Sequence, residues 1–300
     1  MGGKQKLLIC LVGPTASGKT AISIELARHL KTEIISCDSR QFYKEMKIGT
    51  AKPDLEEMQG IKHHFIDFLN PADYFSAGDF ERAALKVLDE LFLEMDCVIV
   101  CGGSGLYLNA LLFGLDEMPA ADLNYRTELE LLFKEKGLEG LQELFRLKNP
   151  IGFENTDMRN PQRLMRALEM QALGIERKER IPAKRNFEIL VVGIDRPREE
   201  LYARINERVN HMIQSGLVDE ARKLYPFRNL NSLQTVGYNE LFSYFDGEWN
   251  LNEAIDKIKQ HTRNYAKRQM TWFRKINGIR WIGGDSIEEL LAVIEEKAAQ

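Results

Sequence analysis

An α/β fold, built as a parallel sheet flanked by helices and carrying a helical insertion, is predicted by three features of this 300-residue sequence. A short apolar run, Leu7 to Val12, leads into a glycine loop that opens a helix. Strand and helix patterns then alternate to about Asn109 and resume after Arg185, the repetition expected of a parallel sheet. Between them, from about Gly114 to Arg185, the pattern is almost entirely helical. The expected division is therefore 1–113 and 186–300 as two parts of one sheet domain, with 114–185 inserted.

Each element follows from local chemistry. Leu7 to Val12 is apolar and partly β-branched, as a buried strand requires, and Ile22, Leu26 and Leu30 recur at helical spacing after Thr20. EIISCD reads as a second strand, Ala77 to Phe92 as a helix and DCVIVCGG as a third strand. In the insertion, Glu128 to Lys134 and Leu138 to Leu147 read as helices, followed by one opened by Asn160 and Pro161 and closed by Gly174. FEILVVGID returns to strand. Helices follow at 198–215, 217–224, 237–245 and 251–276, then a short strand in GIRWIG and a helix capped by Ser286 with Glu289.

Composition narrows the class. With 44% hydrophobic residues the chain can bury a substantial core. It contains no apolar run long enough for a membrane helix, and MGGKQK offers no signal-peptide core, so a cytoplasmic protein without membrane contact is expected. Cys10, Cys37, Cys97 and Cys101 lack metal-ligand spacing and read as reduced core residues. The net charge of −4 argues against a nucleic-acid partner only as an average. Arg159, Arg163, Arg166, Arg177, Lys178, Arg180, Lys184 and Arg185 crowd one stretch. Lys257, Lys259, Arg263, Lys267, Arg268, Arg274 and Lys275 crowd another that has no acidic residue and is interleaved with His261, Tyr265 and Trp272. Such stripes are an RNA-like footprint; a solvated helix face with its aromatics turned into the core is the plainer reading.

The chemistry starts at Gly13, Pro14, Thr15, Ala16, Ser17, Gly18, Lys19 and Thr20, which fit the nucleotide-binding (ATP-binding) pattern G-x-x-x-x-G-K-[ST]. Between strand and helix, such a loop turns its amides toward an anion, Lys19 adds charge and the Thr20 hydroxyl can ligate Mg2+. The fold is thus P-loop NTPase-like. The third strand, however, ends in Cys101, Gly102 and Gly103 rather than in the acidic residue that nucleotide hydrolysis commonly uses. The second strand does end in a carboxylate, Asp38, where sites in parallel sheets collect.

The succession GPTASGKT, DSRQFY, IGTAKP, GGSGLY, NPQRLMRALE, QTVGYNE and YAKRQMTWFR resembles the tRNA dimethylallyltransferases, also called tRNA isopentenyltransferases or IPP transferases, from about Leu7 to Arg274. The resemblance implies transfer of a dimethylallyl group from dimethylallyl diphosphate to the exocyclic amino nitrogen of adenosine 37, 3′ of the anticodon, in tRNAs reading codons that begin with U. It implies Asp38 as general base, Lys19, Thr20 and Arg204 at the diphosphate with Mg2+ as cofactor, and an insertion that helps clasp the anticodon stem-loop; a monomer is expected. Arg208, one helical turn from Arg204, competes for the arginine's role. Implied RNA contacts are Asp38, Ser39, Arg40, Gln41, Ser104, Arg126, Gln162, Arg163, Leu164, Met165, Arg166, Gln234, Thr235, Val236, Gly237, Tyr238 and Asn239. The family often has Met at the position of Arg40 and Thr at that of Ser104. Two other functions compete: a P-loop kinase for a small metabolite, and an RNA-binding protein with a vestigial nucleotide loop.

Overall fold

The structure, a computed structural model, describes residues 6–115, 122–148, 157–175, 182–284 and 286–298. Six parallel strands form one sheet: β1 (Leu7–Val12), β2 (Ile34–Ser36), β3 (His63–His64), β4 (Cys97–Gly102), β5 (Glu188–Asp195) and β6 (Arg280–Gly283), in the order β3-β2-β4-β1-β5-β6. β1 is central, with Ile9 opposite both Ile99 of β4 and Leu190 of β5. All six of its residues are buried, because helices cover both faces of such a sheet. Leu8, Cys10 and Val12 join the larger core on one face, whereas Leu7, Ile9 and Leu11 join the smaller core on the other, as a period of two requires.

Eleven helices are assigned among the described residues: α1 (Lys19–Leu30), α2 (Leu55–Met58), α3 (Ala77–Glu94), α4 (Gly105–Phe113), α5 (Leu123–Lys148), α6 (Pro161–Ala172), α7 (Arg198–Gln214), α8 (Leu217–Leu224), α9 (Tyr238–Phe245), α10 (Leu251–Phe273) and α11 (Ile287–Ala298). Their ends follow capping chemistry. Ser76 and Asp79 form a reciprocal box at α3, as do Asn250 and Glu253 at α10. At α11 only half of the expected box forms: the Glu289 amide donates to Ser286 Oγ, while the Glu289 carboxylate accepts from the Gly283 amide.

The chain divides into two compact units, residues 1–114 with 183–300, and residues 115–182. The return to the sheet unit is fixed by Arg185, whose guanidinium donates to Leu111 O and Ala110 O and pairs with Glu81 at 2.7 Å. In the second unit α5 and α6 bury Leu129, Leu141, Phe145, Leu164, Met165 and Leu168. The two helices read from the sequence there are continuous except at Gly137, whose φ of 65° breaks α5 between them. Asn160 caps α6 by accepting from the amides of Gln162 and Arg163. Arg177, Lys178 and Arg180 of the first basic stretch lie outside the described residues. No helix among the described residues is long and apolar enough to cross a membrane.

Candidate active site

The phosphate loop joins β1 to α1, and its backbone is held from three directions. Gly13, Ala16 and Gly18 all adopt positive φ, with Ala16 at 64°. Arg204 on α7 donates from Nε to Ala16 O at 2.8 Å, and Arg196 donates from Nε to Ser17 O at 2.7 Å. On the opposite side the Thr15 amide donates to Oε1 of Gln269 on α10, at 2.8 Å. The Gln269 Nε2 in turn donates to Gly103 O at 3.0 Å, so one buried amide latches the loop to the end of β4. Lys19 folds back onto Pro14 O at 2.7 Å, and burial pulls its pKa down to about 8.

The glycines after β4 are explained by close approach. A Cβ on Gly102 would lie 2.0 Å from Cys37 O, and one on Gly103 would lie 2.3 Å from Gln269 Nε2. Backbone blocks any side chain at Gly102, whereas one at Gly103 would displace the Gln269 amide from its place.

Asp38 follows β2 at the carboxyl edge of the sheet. Its Oδ1 accepts from the Arg40 amide at 3.1 Å, a local turn that fixes one oxygen. Ser104 Oγ accepts from the Ser39 amide at 2.9 Å and donates to Ser39 Oγ, which ties the DSRQ segment to the GGSG segment.

These groups meet in one cavity. Its polar side is lined by Thr15, Lys19, Thr20, Asp38, Gln41 and Arg208, and its apolar side by Val209, Met212, Val236 and Ile258. Thr262, Tyr265 and Gln269 add a third wall from α10. The two candidate arginines separate here. Arg208 lines the cavity, donating weakly to Thr15 Oγ1 at 3.3 Å and Ala51 O at 3.4 Å, with burial lowering its pKa. Arg204 is not among the lining residues, and its Nε is committed to the loop carbonyl of Ala16. Of the two arginines that compete for the diphosphate, Arg208 therefore lines the cavity and Arg204 braces the loop. A helical period puts both on one face of α7, and only the seating of the helix against the loop decides which reaches the cavity.

The Thr20 hydroxyl is exposed to the cavity and has no hydrogen-bond partner among the described residues. With Asp38 it offers one hydroxyl and one carboxylate, and no group of three metal-binding side chains exists among the described residues. That set fits Mg2+, which keeps several waters and is commonly held through few protein oxygens plus substrate phosphates.

A family model described as IPP transferase matches residues 41–276. The curated relatives include the tRNA dimethylallyltransferase of Christiangramia forsetii, 47% identical over 97% of this chain and 98% of the relative. That of Flavobacterium johnsoniae is 48% identical, over 92% of this chain and 93% of the relative. The chain belongs to the IPP transferase family. Among solved structures it is similar to the full-length tRNA isopentenylpyrophosphate transferase of Bacillus halodurans: TM-score 0.74 and 38% identity over 99% of this chain and 97% of that one. A eukaryotic dimethylallyltransferase described as acting on tRNA has TM-score 0.75 at 23% identity, covering 98% of this chain and 77% of that one, and shows the shared fold.

Within this IPP transferase the implied RNA contacts fall into distinct environments. Arg40, Gln41, Thr235, Val236 and Gly237 line the cavity, and Gln234 and Asn239 are exposed beside it in sequence. Arg40 is already engaged: its guanidinium donates to Asn231 O and Ser232 O, both at 2.9 Å, and to Gln234 O at 3.4 Å. Tyr238, Leu164 and Met165 are buried in the core, so a contact with RNA at these positions would have to come from the backbone.

In the helical unit, Arg126 and Arg166 grip the buried carboxylate of Glu169 from either side at 3.0 Å, and Arg126 also contacts Glu130 and Gln162. Arg163 is 62% exposed and pairs with Asp157 at 2.9 Å. On α10, Lys267 and Arg268 are exposed, but Arg263 donates to Asn206 Oδ1 at 2.7 Å. Cys101 lines the cavity and Cys10 and Cys37 are buried; none of the four cysteines is in a disulfide.

Sequence reasoning assigned no role to Gln269. Its sign was present: a polar residue on α10 at helical spacing from Ile258, Thr262 and Tyr265, which share the cavity wall.

Proposed function

We propose that this protein transfers the dimethylallyl group of dimethylallyl diphosphate to the exocyclic amino nitrogen of adenosine 37, in tRNAs reading codons that begin with U, and releases diphosphate. One observation carries the reading: the Asp38 carboxylate, the cations Lys19, Arg40 and Arg208, and apolar side chains share a cavity at the carboxyl edge of the sheet. An adenine amino group is a poor nucleophile because its lone pair is delocalised into the ring. Asp38 accepts its proton as the carbon–nitrogen bond forms, which lowers the barrier. As the allylic carbon–oxygen bond breaks, negative charge builds on the diphosphate, where Lys19, Arg208 and the loop amides stabilise it. Mg2+ held at Thr20 would neutralise part of that charge. Val209, Met212, Val236 and Ile258 enclose the five-carbon chain and keep water from the developing cation.

The acceptor arrives from single-stranded RNA. A loop adenosine is extracted at a cost of a few kcal/mol, which stacking and polar contacts in the pocket offset. We assign these contacts to Asp38, Ser39, Gln41, Ser104, Thr235, Gly237 and Asn239, the backbone attraction to Lys267 and Arg268, and further contacts to Arg163 and Gln162 of the helical unit. The protein is assigned to the cytoplasm, acting as a monomer.

The test is incubation with tRNA lacking the modification, Mg2+ and either dimethylallyl diphosphate or ATP, followed by mass spectrometry of the nucleosides. An isoprenoid mass on adenosine with the diphosphate donor supports the reading. Phosphoryl transfer from ATP to a small acceptor, with unmodified tRNA, would replace it with the kinase alternative.

A further inference from the structure

We propose that Glu220 is a positioning residue, which fixes the backbone wall on which the cavity's Arg208 and Gln41 rest. Glu220 lies on α8 and is not among the residues lining the cavity. Its Oε2 accepts from the amides of Lys47 at 3.1 Å and Ile48 at 2.9 Å, and its Oε1 accepts from the Gly49 amide at 2.9 Å and from Tyr238 Oη at 2.7 Å. A carboxylate has about four lone-pair sites, so this one is saturated. Three consecutive amides turned to one side make a concave anion receptor. Here the anion belongs to the protein's own chain.

The consequence passes along the backbone. Lys52 N donates to Lys47 O at 3.1 Å and Ala51 N to Ile48 O at 2.9 Å, so the segment held by Glu220 turns sharply, with Ala51 at φ 46°. That turn aims the carbonyls of Thr50 and Ala51 at Gln41 Nε2, 3.3 and 3.2 Å away, and the Ala51 carbonyl also receives Arg208 Nη2. Gly49, Thr50 and Ala51 themselves line the cavity. The Tyr238 ring blocks the other side: a Cβ on Gly49 would lie 2.6 Å from it. Thus a carboxylate outside the cavity sets the direction of a guanidinium inside it.

The inference rests on the proposed role of Arg208 at the diphosphate, and the test separates the two. Glu220→Gln substitutes an NH2 for one acceptor oxygen, so a donor faces backbone donors and at least one amide is orphaned. Binding of inorganic pyrophosphate with Mg2+ is measured by calorimetry for wild type, Glu220→Gln, Arg208→Ala and the double variant. We expect Glu220→Gln to weaken pyrophosphate about tenfold, the loss of roughly one hydrogen bond's worth of orientation. In the Arg208→Ala background the same change should cost less than about twofold, because coupled residues are not additive.

An unchanged affinity in Glu220→Gln, or a full additive loss in the double variant, overturns the inference while leaving the diphosphate site standing. Wild type that binds no pyrophosphate overturns both. If Glu220→Gln does not fold, Tyr238→Phe removes one of the four bonds and keeps the ring against Gly49. It should weaken pyrophosphate in the same sense by a smaller factor, and unaltered binding there also overturns the inference.

Discussion

The choice between Arg208 and Arg204 makes the sharpest structural prediction. Arg208 has no carboxylate within ion-pair distance among the described residues, and its two hydrogen bonds, at 3.3 and 3.4 Å, are long, so its charge is available to a ligand. Removing a group that stabilises developing negative charge in a water-poor site costs about 3–4 kcal/mol. Arg208→Ala should therefore slow single-turnover transfer by about 10²–10³-fold. Arg204 makes one short bond, 2.8 Å, to a carbonyl whose residue sits at positive φ. Its loss is the loss of a charge-assisted bond, about 1.5–3 kcal/mol, and it acts on the loop rather than on the leaving group.

Arg204→Ala should show as a lower melting temperature, by about 2–4 °C per kcal/mol for a unit of this size. It should also slow the rate less than Arg208→Ala does. The assay is single-turnover transfer to an unmodified anticodon stem-loop with saturating donor, paired with a thermal melt. A fast Arg208→Ala enzyme and a dead but normally stable Arg204→Ala enzyme would refute the assignment.

Lys19 predicts opposite pH trends in two measurements. Its folded pKa, lowered to about 8 by burial, lies below the ordinary 10.5, so between these values the unfolded chain holds more protons. Stability of the ligand-free protein should rise across pH 8 to 10.5, whereas pyrophosphate affinity should fall as the Lys19 charge is lost; Lys19→Ala should abolish both trends. On α10, Lys267→Ala with Arg268→Ala should flatten the log–log salt dependence of tRNA binding by about 0.7–0.9 for each lost phosphate contact. Arg263→Ala should leave that slope unchanged and lower the melting temperature, since its guanidinium braces Asn206. An unaltered slope in the Lys267/Arg268 variant would move the RNA contacts elsewhere.

Strands β1, β4 and β5 were legible because a strand buried on both faces must be a continuous apolar run, and each is bounded by charge or glycine. The cap at Asn160 was equally legible, since capping is local chemistry, and the starts of α3 at Ala77 and α10 at Leu251 were read correctly. β3 was not: two half-buried histidines carry no periodicity, and only pairing with Ile34 and Ile35 makes them a strand. α4 was hidden behind the glycines of GGSG, whose spacing is set by Cys37 and Gln269, far away in sequence.

In the cavity, the residues read from the turns after β1 and β2 come together because sheet topology gathers them. Where helices deliver a residue, spacing says less about what it faces. Tyr238 adjoins the cavity-lining Gly237 yet points into the core, and Arg204 and Arg208 share a helical face, so burial and seating decide what spacing alone does not.

The account turns on Asp38 as the base that takes the proton from the adenosine amino group, and Asp38→Asn tests this directly. The substitution keeps the size of the side chain and an oxygen for the Arg40 amide, and it removes the proton acceptor. Single-turnover transfer of the dimethylallyl group to tRNA is followed by mass spectrometry, with pyrophosphate and tRNA affinities measured on the same samples. The account predicts a rate lower by about 10²–10⁴-fold with both affinities nearly intact. A near-normal single-turnover rate in Asp38→Asn would contradict it and require another group in the cavity to accept the proton.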